Sequence, residues 1–359
     1  MTISKTDKPP MASAGDPGAI AVADAMSQAL TPMQRKAAAI MHSVKLAYYS
    51  TPNDKWIDVP LKRMQRAVSQ FDPETFAVTI HAETGMGKSA LIEQVLKDEE
   101  AFQPVPDGYG NFYYPALYIK APSKASVPDL AEALLSAMNY EVIRRKSTEG
   151  MVQDVRRYLR RRGTRVVIID DFQHVLESPQ YKGPSHIADT IKNMLQHPTW
   201  PIFVVLVGLP EIKEVVLRDP KDQLLRRVDD FALLNMTLEN DGEYLAAIII
   251  ELVEQRAGLK LSPEVEPDFI ERLMYGGHYR WGLVMKIIYH SIEDALENGK
   301  DTVTQESWEE GYRRLVNGDY ELETNVMASA EWRTIIRPVN RAGVFAPATK
   351  RSPKKSSEE

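Results

Sequence analysis

The sequence predicts an α/β protein: a parallel five-stranded sheet flanked by helices, with a small helical domain after it. Three observations carry this. Five short apolar runs are separated by helix-length stretches; beyond about Thr237 the runs cease and only helical spacing remains; and 359 residues with 43% apolar content are enough for about two buried cores. Continuous apolar runs, as opposed to alternating ones, mark strands covered by helices on both faces.

In chain order, residues 1–30 are rich in Ala, Gly, Pro, Ser and Asp without apolar periodicity and are expected to form a flexible arm. The α/β domain is expected over 31–236. Its first run, Phe76–His81, is followed by Leu91, Ile92, Val95 and Leu96 at helical spacing. The second is Pro115–Lys120. The third, Arg165–Asp170, follows a stretch in which Val152, Val155 and Leu159 share one helical face. Ile187, Ile191, Met194 and Leu195 precede the fourth run, Ile202–Val207, and Phe231–Met236 is the fifth. Strands alternating with helices imply a parallel sheet. Over 237–325 helices are expected at about Gly242–Ala257, Pro267–Tyr275, Tyr279–Asn298 and Gln305–Val316, broken at Gly276-Gly277 and Asn298-Gly299. Residues 326–359 are expected to be a flexible basic tail, with seven Lys/Arg against three Asp/Glu from Glu331 onward.

Composition removes several chemistries. No cysteine is present, which excludes disulfides, thiol nucleophiles and thiolate metal sites. The seven histidines form no ligand pattern such as HExxH, and no nucleophile elbow is found. No apolar run approaches the ~18 residues of a membrane helix, and the first residues lack a secretory apolar core. The expectation is a soluble, cytoplasmic protein with no membrane partner. A net charge of −6 argues against a wholly basic nucleic-acid coat, although bulk charge conceals local sign.

The most informative segment is His81-Ala82-Glu83-Thr84-Gly85-Met86-Gly87-Lys88-Ser89, between the first strand and an amphipathic helix. Two glycines let backbone N–H groups converge on phosphate oxygens, and the helix starting near Lys88 points its positive end at them. Lys88 would neutralise β/γ-phosphate charge and the Ser89 hydroxyl would coordinate Mg²⁺. Candidate nucleotide-binding residues are Glu83, Thr84, Gly85, Met86, Gly87, Lys88, Ser89 and Ala90. The usual motif opens with Gly six residues before the Lys, where this chain has Ala82. About 80 residues on, Val166-Val167-Ile168-Ile169 ends in Asp170-Asp171. Carboxylates at the carboxyl end of a buried parallel strand lie where ligands bind. Asp170 is the candidate metal ligand alongside Ser89. Asp171 either polarises the attacking water or caps the next helix. One additional strand, Pro115–Lys120, separates the two motifs in sequence, a spacing of the additional-strand P-loop ATPases.

Together, AETGMGKSALIEQ, VVIIDDFQHVL, FVVLVGLPEIKEVV, DQLLRRVDDF and GGHYRWGLVMKII resemble the TniB/TnsC group of AAA+ ATPases, target-selection regulators of DNA transposition, over about Trp56 to Leu315. The resemblance implies an AAA+ P-loop core with a helical lid, ATP and Mg²⁺ as cofactors, assembly of copies into rings or filaments on double-stranded DNA, and recruitment of a transposase, with a targeting factor as a further partner. It matches Lys88 and Ser89 to the Walker A lysine and hydroxyl, and Asp170 to the Walker B metal ligand. Asp171 stands where the family usually has Glu, and Leu209 where a polar sensor-1 side chain would contact the γ-phosphate; a Leu donates no such bond. Binding positions kept and hydrolysis positions altered imply tight binding with slow turnover. Arg226 or Arg227 resembles the arginine finger, or is a solvated pair at a helix end. Arg280 resembles sensor 2, or is a surface Arg at a helix start. Trp56, Ile57 and Pro60 line the adenine or simply pack.

From Glu141 to Arg165 nine basic residues face three acids. Arg144, Arg145, Lys146, Arg156 and Arg160 are candidate contacts to DNA phosphates, with Arg157 and Arg161 on the same polar face; a solvated helix face is the alternative reading. Lys120 and Lys124, at the end of the second strand, are DNA candidates on the resemblance alone. Two other functions stay open: a nearly non-hydrolysing, nucleotide-locked scaffold, and a helicase-loader-like ATPase.

Overall fold

The computed structural model describes residues 17–70, 77–140, 147–178, 200–213, 228–262, 267–316 and 324–335. They divide into a helical unit, Met1–Tyr49 with Thr84–Met86 and Asn235–Glu359, and a sheet unit, Ser50–Glu83 with Gly87–Leu234.

The chain opens with α1 (Pro17–Ala29) and α2 (Pro32–Lys45). A helix therefore occupies part of the arm expected to be flexible, although α1 is exposed along its described length. Ala37, Met41 and Val44 of α2 are buried, and Met41 and Val44 join the core of the helical unit.

The sheet unit runs α3 (Pro52–Ser69), β1 (Ala77–His81), α4 (Lys88–Asp98), a short hairpin of β2 (Val105–Pro106) and β3 (Phe112–Tyr113), β4 (Ala116–Lys120), α5 (Val127–Ala137), α6 (Thr148–Arg162), β5 (Val166–Asp170), α7 (Gln173–Leu176), β6 (Phe203–Gly208) and β7 (Val228–Ala232). Five strands pair in the order β4-β5-β6-β1-β7, with every pairing parallel. In the sheet β6 lies between β1 and β5, while β4, the additional strand in sequence, sits at the edge. Register brings His81 beside Gly208 and Lys120 beside Asp170, so the carboxyl ends form one edge.

Both faces of the central strands are buried, which is why their sequences read as unbroken apolar runs. On one face Leu117, Ile119, Val167, Ile169, Val204 and Leu206 pack with Leu130 and Leu134 of α5 and Met151, Val155 and Leu159 of α6. On the other, Val78, Ile80, Ile168, Phe203 and Val205 meet Ile57, Leu61 and Met64 of α3 and Leu91 and Ile92 of α4. Each such side chain contributes about 1.5–3 kcal/mol by leaving water. Ser126 caps α5 through a reciprocal bond with Asp129, and Ser147 caps α6 by accepting from the Gly150 N–H.

The fifth strand differs from its expectation. It spans Val228–Ala232, not Phe231–Met236, and carries Asp229 and Asp230. As an edge strand it is only partly covered, so it lacks the apolar signature. Leu234, beyond it, is fixed instead by Asn53, whose side chain accepts from the Leu234 N–H at 2.8 Å.

In the helical unit α8 (Leu238–Ile250) widens into a π turn over Glu251–Arg256, β8 (Lys260–Leu261) pairs with β9 (Thr302–Val303), and α9 (Pro267–Gly276), α10 (Trp281–Glu297) and α11 (Gln305–Val316) pack around Leu273, Ile287, Ile288, Trp308 and Tyr312. Val326, Met327 and Trp332 are buried in the same core. The first residues of the expected tail are thus packed structure, and Arg333 lies over the Trp332 ring while pairing with Asp268 and Glu271. The remaining tail lies outside the described residues, as do Phe76 and the predicted helix through Ile187 and Leu195.

Candidate functional site

Between β1 and α4 the chain turns through Gly85 at φ +84° and Gly87 at φ +92°, a region that side chains disfavour. A Cβ at Gly87 would meet nothing within 4 Å, so the space above the loop is open. Lys88, the first residue of α4, folds back so that Nζ donates to the carbonyls of Ala82 at 2.7 Å and Glu83 at 3.0 Å. Ala82 contributes a backbone carbonyl that any residue would supply.

Ser89 Oγ donates to Asp170 Oδ2 at 2.7 Å, the juxtaposition expected from the two motifs. Asp170 is fully buried, and its charge is met by three donors: Ser89, the Tyr118 hydroxyl at 2.9 Å and the Asp171 N–H at 2.9 Å. Burial and the neighbouring Asp170 carboxylate push the Tyr118 hydroxyl well above its ordinary range, which keeps it a donor. A serine hydroxyl beside a carboxylate is a hard-oxygen donor pair that suits Mg²⁺, which keeps several waters and takes few protein ligands. Among the described residues no group of three or more His, Cys, Asp or Glu forms a self-sufficient metal cage.

Asp171 departs from β5 in a left-handed conformation, φ +53°. Its side chain does not cap α7. Asp171 Oδ1 instead accepts from Gln173 Nε2 at 3.2 Å, and Gln173 Oε1 accepts from the Leu209 N–H at 3.2 Å. Gln173 therefore links the ends of β5 and β6 at the position where Leu209 offers no polar side chain. Sequence reasoning missed both Gln173 and Tyr118. The signal for Gln173 was a polar residue directly after Asp-Asp-Phe; that for Tyr118 was a hydroxyl inside an apolar run.

His81 ends β1 buried, 3.2 Å from Asp230, which also accepts from Thr79 Oγ1 at 2.5 Å and pairs with Lys213 at 3.4 Å. Burial alone would raise the Asp230 carboxyl, but Thr79, His81 and Lys213 hold it below its ordinary value. His174 pairs with Glu177 at 3.2 Å. Both histidines are accounted for by these contacts.

Within the helical unit, which includes Thr84–Met86, Arg280 Nη1 donates to the Thr84 carbonyl at 3.1 Å and the Leu283 N–H to that of Gly85 at 3.2 Å. Arg280 thus sits on a phosphate-loop residue and precedes α10. Ile57 and Pro60 are buried in α3, and Ile57 belongs to the sheet core, whereas Trp56 is exposed.

The DNA candidates separate. Lys120 is the last residue of β4, and Lys124 lies in the loop that follows it. Arg156 and Arg160 lie on α6, whose carboxyl end leads directly into the start of β5. There they line a cavity of about 580 Å³ with Tyr113, Gln153, Arg157 and Arg161. Arg144, Arg145, Lys146, Arg226 and Arg227 lie outside the described residues.

The family model described as bacterial TniB protein matches residues 52–237, just over half of the chain. No curated protein matches significantly. Among solved structures, the Aeropyrum pernix ORC2 protein in ADPNP–ADP complexes is 14% identical, with a TM-score of 0.53 over 72% of this chain and 66% of that one. Cdc6p from Pyrobaculum aerophilum is 15% identical, with a TM-score of 0.53 over 78% and 72%. The Aeropyrum pernix ORC1 protein in complex with DNA is 17% identical, with a TM-score of 0.50 over 72% and 65%. The chain spans about two thirds of the length of the two ORC proteins. At such identities the likeness is one of fold, and that fold is the AAA+ ATPase fold. No described helix is long and apolar enough to cross a membrane. With its family model matched from the helix before the phosphate strand through the end of the sheet unit, the chain belongs to the TniB family.

Proposed function

We propose that this chain is an ATP-dependent, DNA-binding AAA+ regulator of transposition, which oligomerises on double-stranded DNA and recruits or activates a transposase chosen with a targeting factor. The observation that carries the nucleotide part is the Ser89–Asp170 pair at 2.7 Å beside a glycine loop that opens a helix. TniB membership supports the transposition part. The reading places the protein in the bacterial cytoplasm.

Bound Mg²⁺ would supply charge neutralisation for the β- and γ-phosphates. Ser89 and Asp170 would hold it, directly or through water. Lys88 exchanges its two loop carbonyls for phosphate oxygens, and the N–H groups of Gly85 through Ala90 cradle them. Asp171 orients the attacking water, with Gln173 holding its carboxylate. Arg280 takes the sensor-2 role, and Arg226 or Arg227 acts across a subunit boundary on a neighbour's nucleotide.

A second reading, the nearly non-hydrolysing scaffold, is favoured by the short, tethered Asp171 and the apolar Leu209. Imaging and sizing with duplex DNA and a slowly hydrolysed ATP analogue test the main reading. ATP-dependent oligomers on DNA support it; monomers under those conditions refute it. DNA-stimulated phosphate release excludes the scaffold. Deletion after Gly343 is expected to spare ATP and DNA binding while losing recruitment.

A further inference from the structure

At the amino-terminal edge of the sheet, away from the phosphate loop, a surface is left that nucleotide chemistry does not use. The inner face of α6 is spent on the core through Met151, Val155 and Leu159. Arg156, Arg157, Arg160 and Arg161 of this helix line one cavity, which Tyr113 of β3 also lines. Favourable charge at a helix carboxyl end explains arginines in the last turn, but not Arg156 and Arg157 a turn earlier. Asp154 pairs with Arg157 at 2.8 Å, and Arg160 makes no ion pair with any described residue. Arg157 and Arg161 also lie over the Tyr158 ring, which holds the row in place, and an anion shared along it would be attracted by all four charges.

Beside the cavity the β2–β3 hairpin is built to hold an aromatic ring in solvent. The Asp107 carboxylate accepts from the Tyr109 N–H at 2.7 Å and the Asn111 N–H at 3.0 Å, fixing the tip. Tyr109 is 91% exposed between two glycines of positive φ. The hairpin is tied to α6: a Cβ at Gly163 would stand 2.9 Å from the Tyr113 side chain, and the Tyr114 N–H donates to the Arg162 carbonyl at 2.9 Å.

We infer that this arginine cavity grips backbone phosphates of duplex DNA, with the Tyr109 tip lying against the adjoining groove, as a second contact distinct from Lys120 and Lys124. The inference rests on the reading that the chain binds duplex DNA. Planar guanidinium forks match phosphate oxygens two at a time, and a continuous row of phosphates can pair several at once. A two-stranded ribbon also fits a groove of the duplex. The contact reads no sequence, because phosphates carry none.

The test measures duplex affinity of the full chain with ATP analogue across 50–200 mM salt. Arg156→Gln with Arg160→Gln removes two phosphate contacts, so the slope of log K against log salt should fall by about 1.8, and by about 0.9 for Arg160→Gln alone. Tyr109→Ser should weaken binding without moving the slope. Nucleotide affinity should be unchanged in all three. Lys120→Gln with Lys124→Gln reports separately on the other edge. If that pair lowers the slope while the arginine variants leave it unaltered, the cavity is not a DNA contact and the DNA reading stands. If an acidic peptide (poly-glutamate) binds through these arginines with DNA slopes unaltered, the cavity is a protein-docking site and the inference falls. If the unaltered chain shows no salt-dependent retention on duplex, both fall.

Discussion

One added methyl group at position 208 probes the link between the two strand ends. A Cβ there would lie 2.6 Å from Gln173 Oε1, 3.0 Å from Ile212 Cγ2 and 3.3 Å from the Gln173 backbone nitrogen. The closest atom is the far end of a flexible side chain, so in Gly208→Ala the Gln173 amide is expected to swing out while β6 stays in place. Two hydrogen bonds are then lost, one to the Asp171 carboxylate and one from the Leu209 N–H. At roughly 1 kcal/mol each, the variant loses about 2 kcal/mol of stability, and Gln173→Ala loses nearly the same by the direct route. Because both substitutions break one link, the double variant should be little worse than either single, a coupling of about 1 kcal/mol or more. Denaturant unfolding of the four proteins measures this. On the proposed reading, freed Asp171 should also slow phosphate release from bound ATP by roughly tenfold per 1.4 kcal/mol of lost orientation, while nucleotide affinity, which that reading assigns to Lys88 and Ser89, holds. Effects on stability that add within about 0.5 kcal/mol, or full turnover in Gln173→Ala, would show that Gln173 positions nothing.

Lys88→Ala should abolish ATP binding and ATP-dependent retention on duplex, with circular dichroism and denaturant unfolding checking that the variant keeps its fold after losing the bonds to the Ala82 and Glu83 carbonyls. Asp171→Glu, one methylene longer, should raise a slow ATPase rate in a phosphate-release assay; an unchanged or lower rate would remove side-chain reach as the limit. Asp230→Asn tests the edge-strand cluster by its pH dependence. A carboxyl held below its ordinary value stabilises the fold above the unfolded value and loses that contribution as pH falls through the folded one. The unaltered protein should therefore unfold at higher denaturant than the variant at pH 7, and the gap should close below about pH 4; a gap constant with pH would refute the assignment.

What was legible in the sequence was what contiguous residues fix. The Gly-rich turn is nine residues in a row, and the buried strand ending in Asp170 announces itself by its apolar run, so the meeting of the turn with that strand end could be expected without the fold. The Ser89–Asp170 bond spans 81 positions but follows from each motif's own context. Tyr118 and Gln173 were not legible because their roles are created by assembly. Tyr118 reaches Asp170 only because β4 pairs with β5, and Gln173 fits only because residue 208, 35 positions away, has no side chain. The fifth strand was misplaced for a related reason: its register against β1, not its hydropathy, makes Val228–Ala232 a strand. The packing of Trp332 had no periodic signal, since a single ring inserted into a helical core leaves none.

Charge shows the same division between pattern and placement. Periodicity tells that Arg156 and Arg160 share a helix face; it does not tell which edge of the sheet that face approaches. The connection does: α6 ends where β5 begins, at the edge opposite Asp170, whereas Lys120 lies in strand register with Asp170. A five-residue strand at about 3.3 Å per residue puts roughly 16 Å between the two edges. That exceeds the ~10 Å over which exposed charges act on one another in 0.1 M salt, so the lysines and the arginines are electrostatically separate sites. DNA held by both must run along the unit from edge to edge or be shared between copies, and the two sets should then contribute to the salt slope additively.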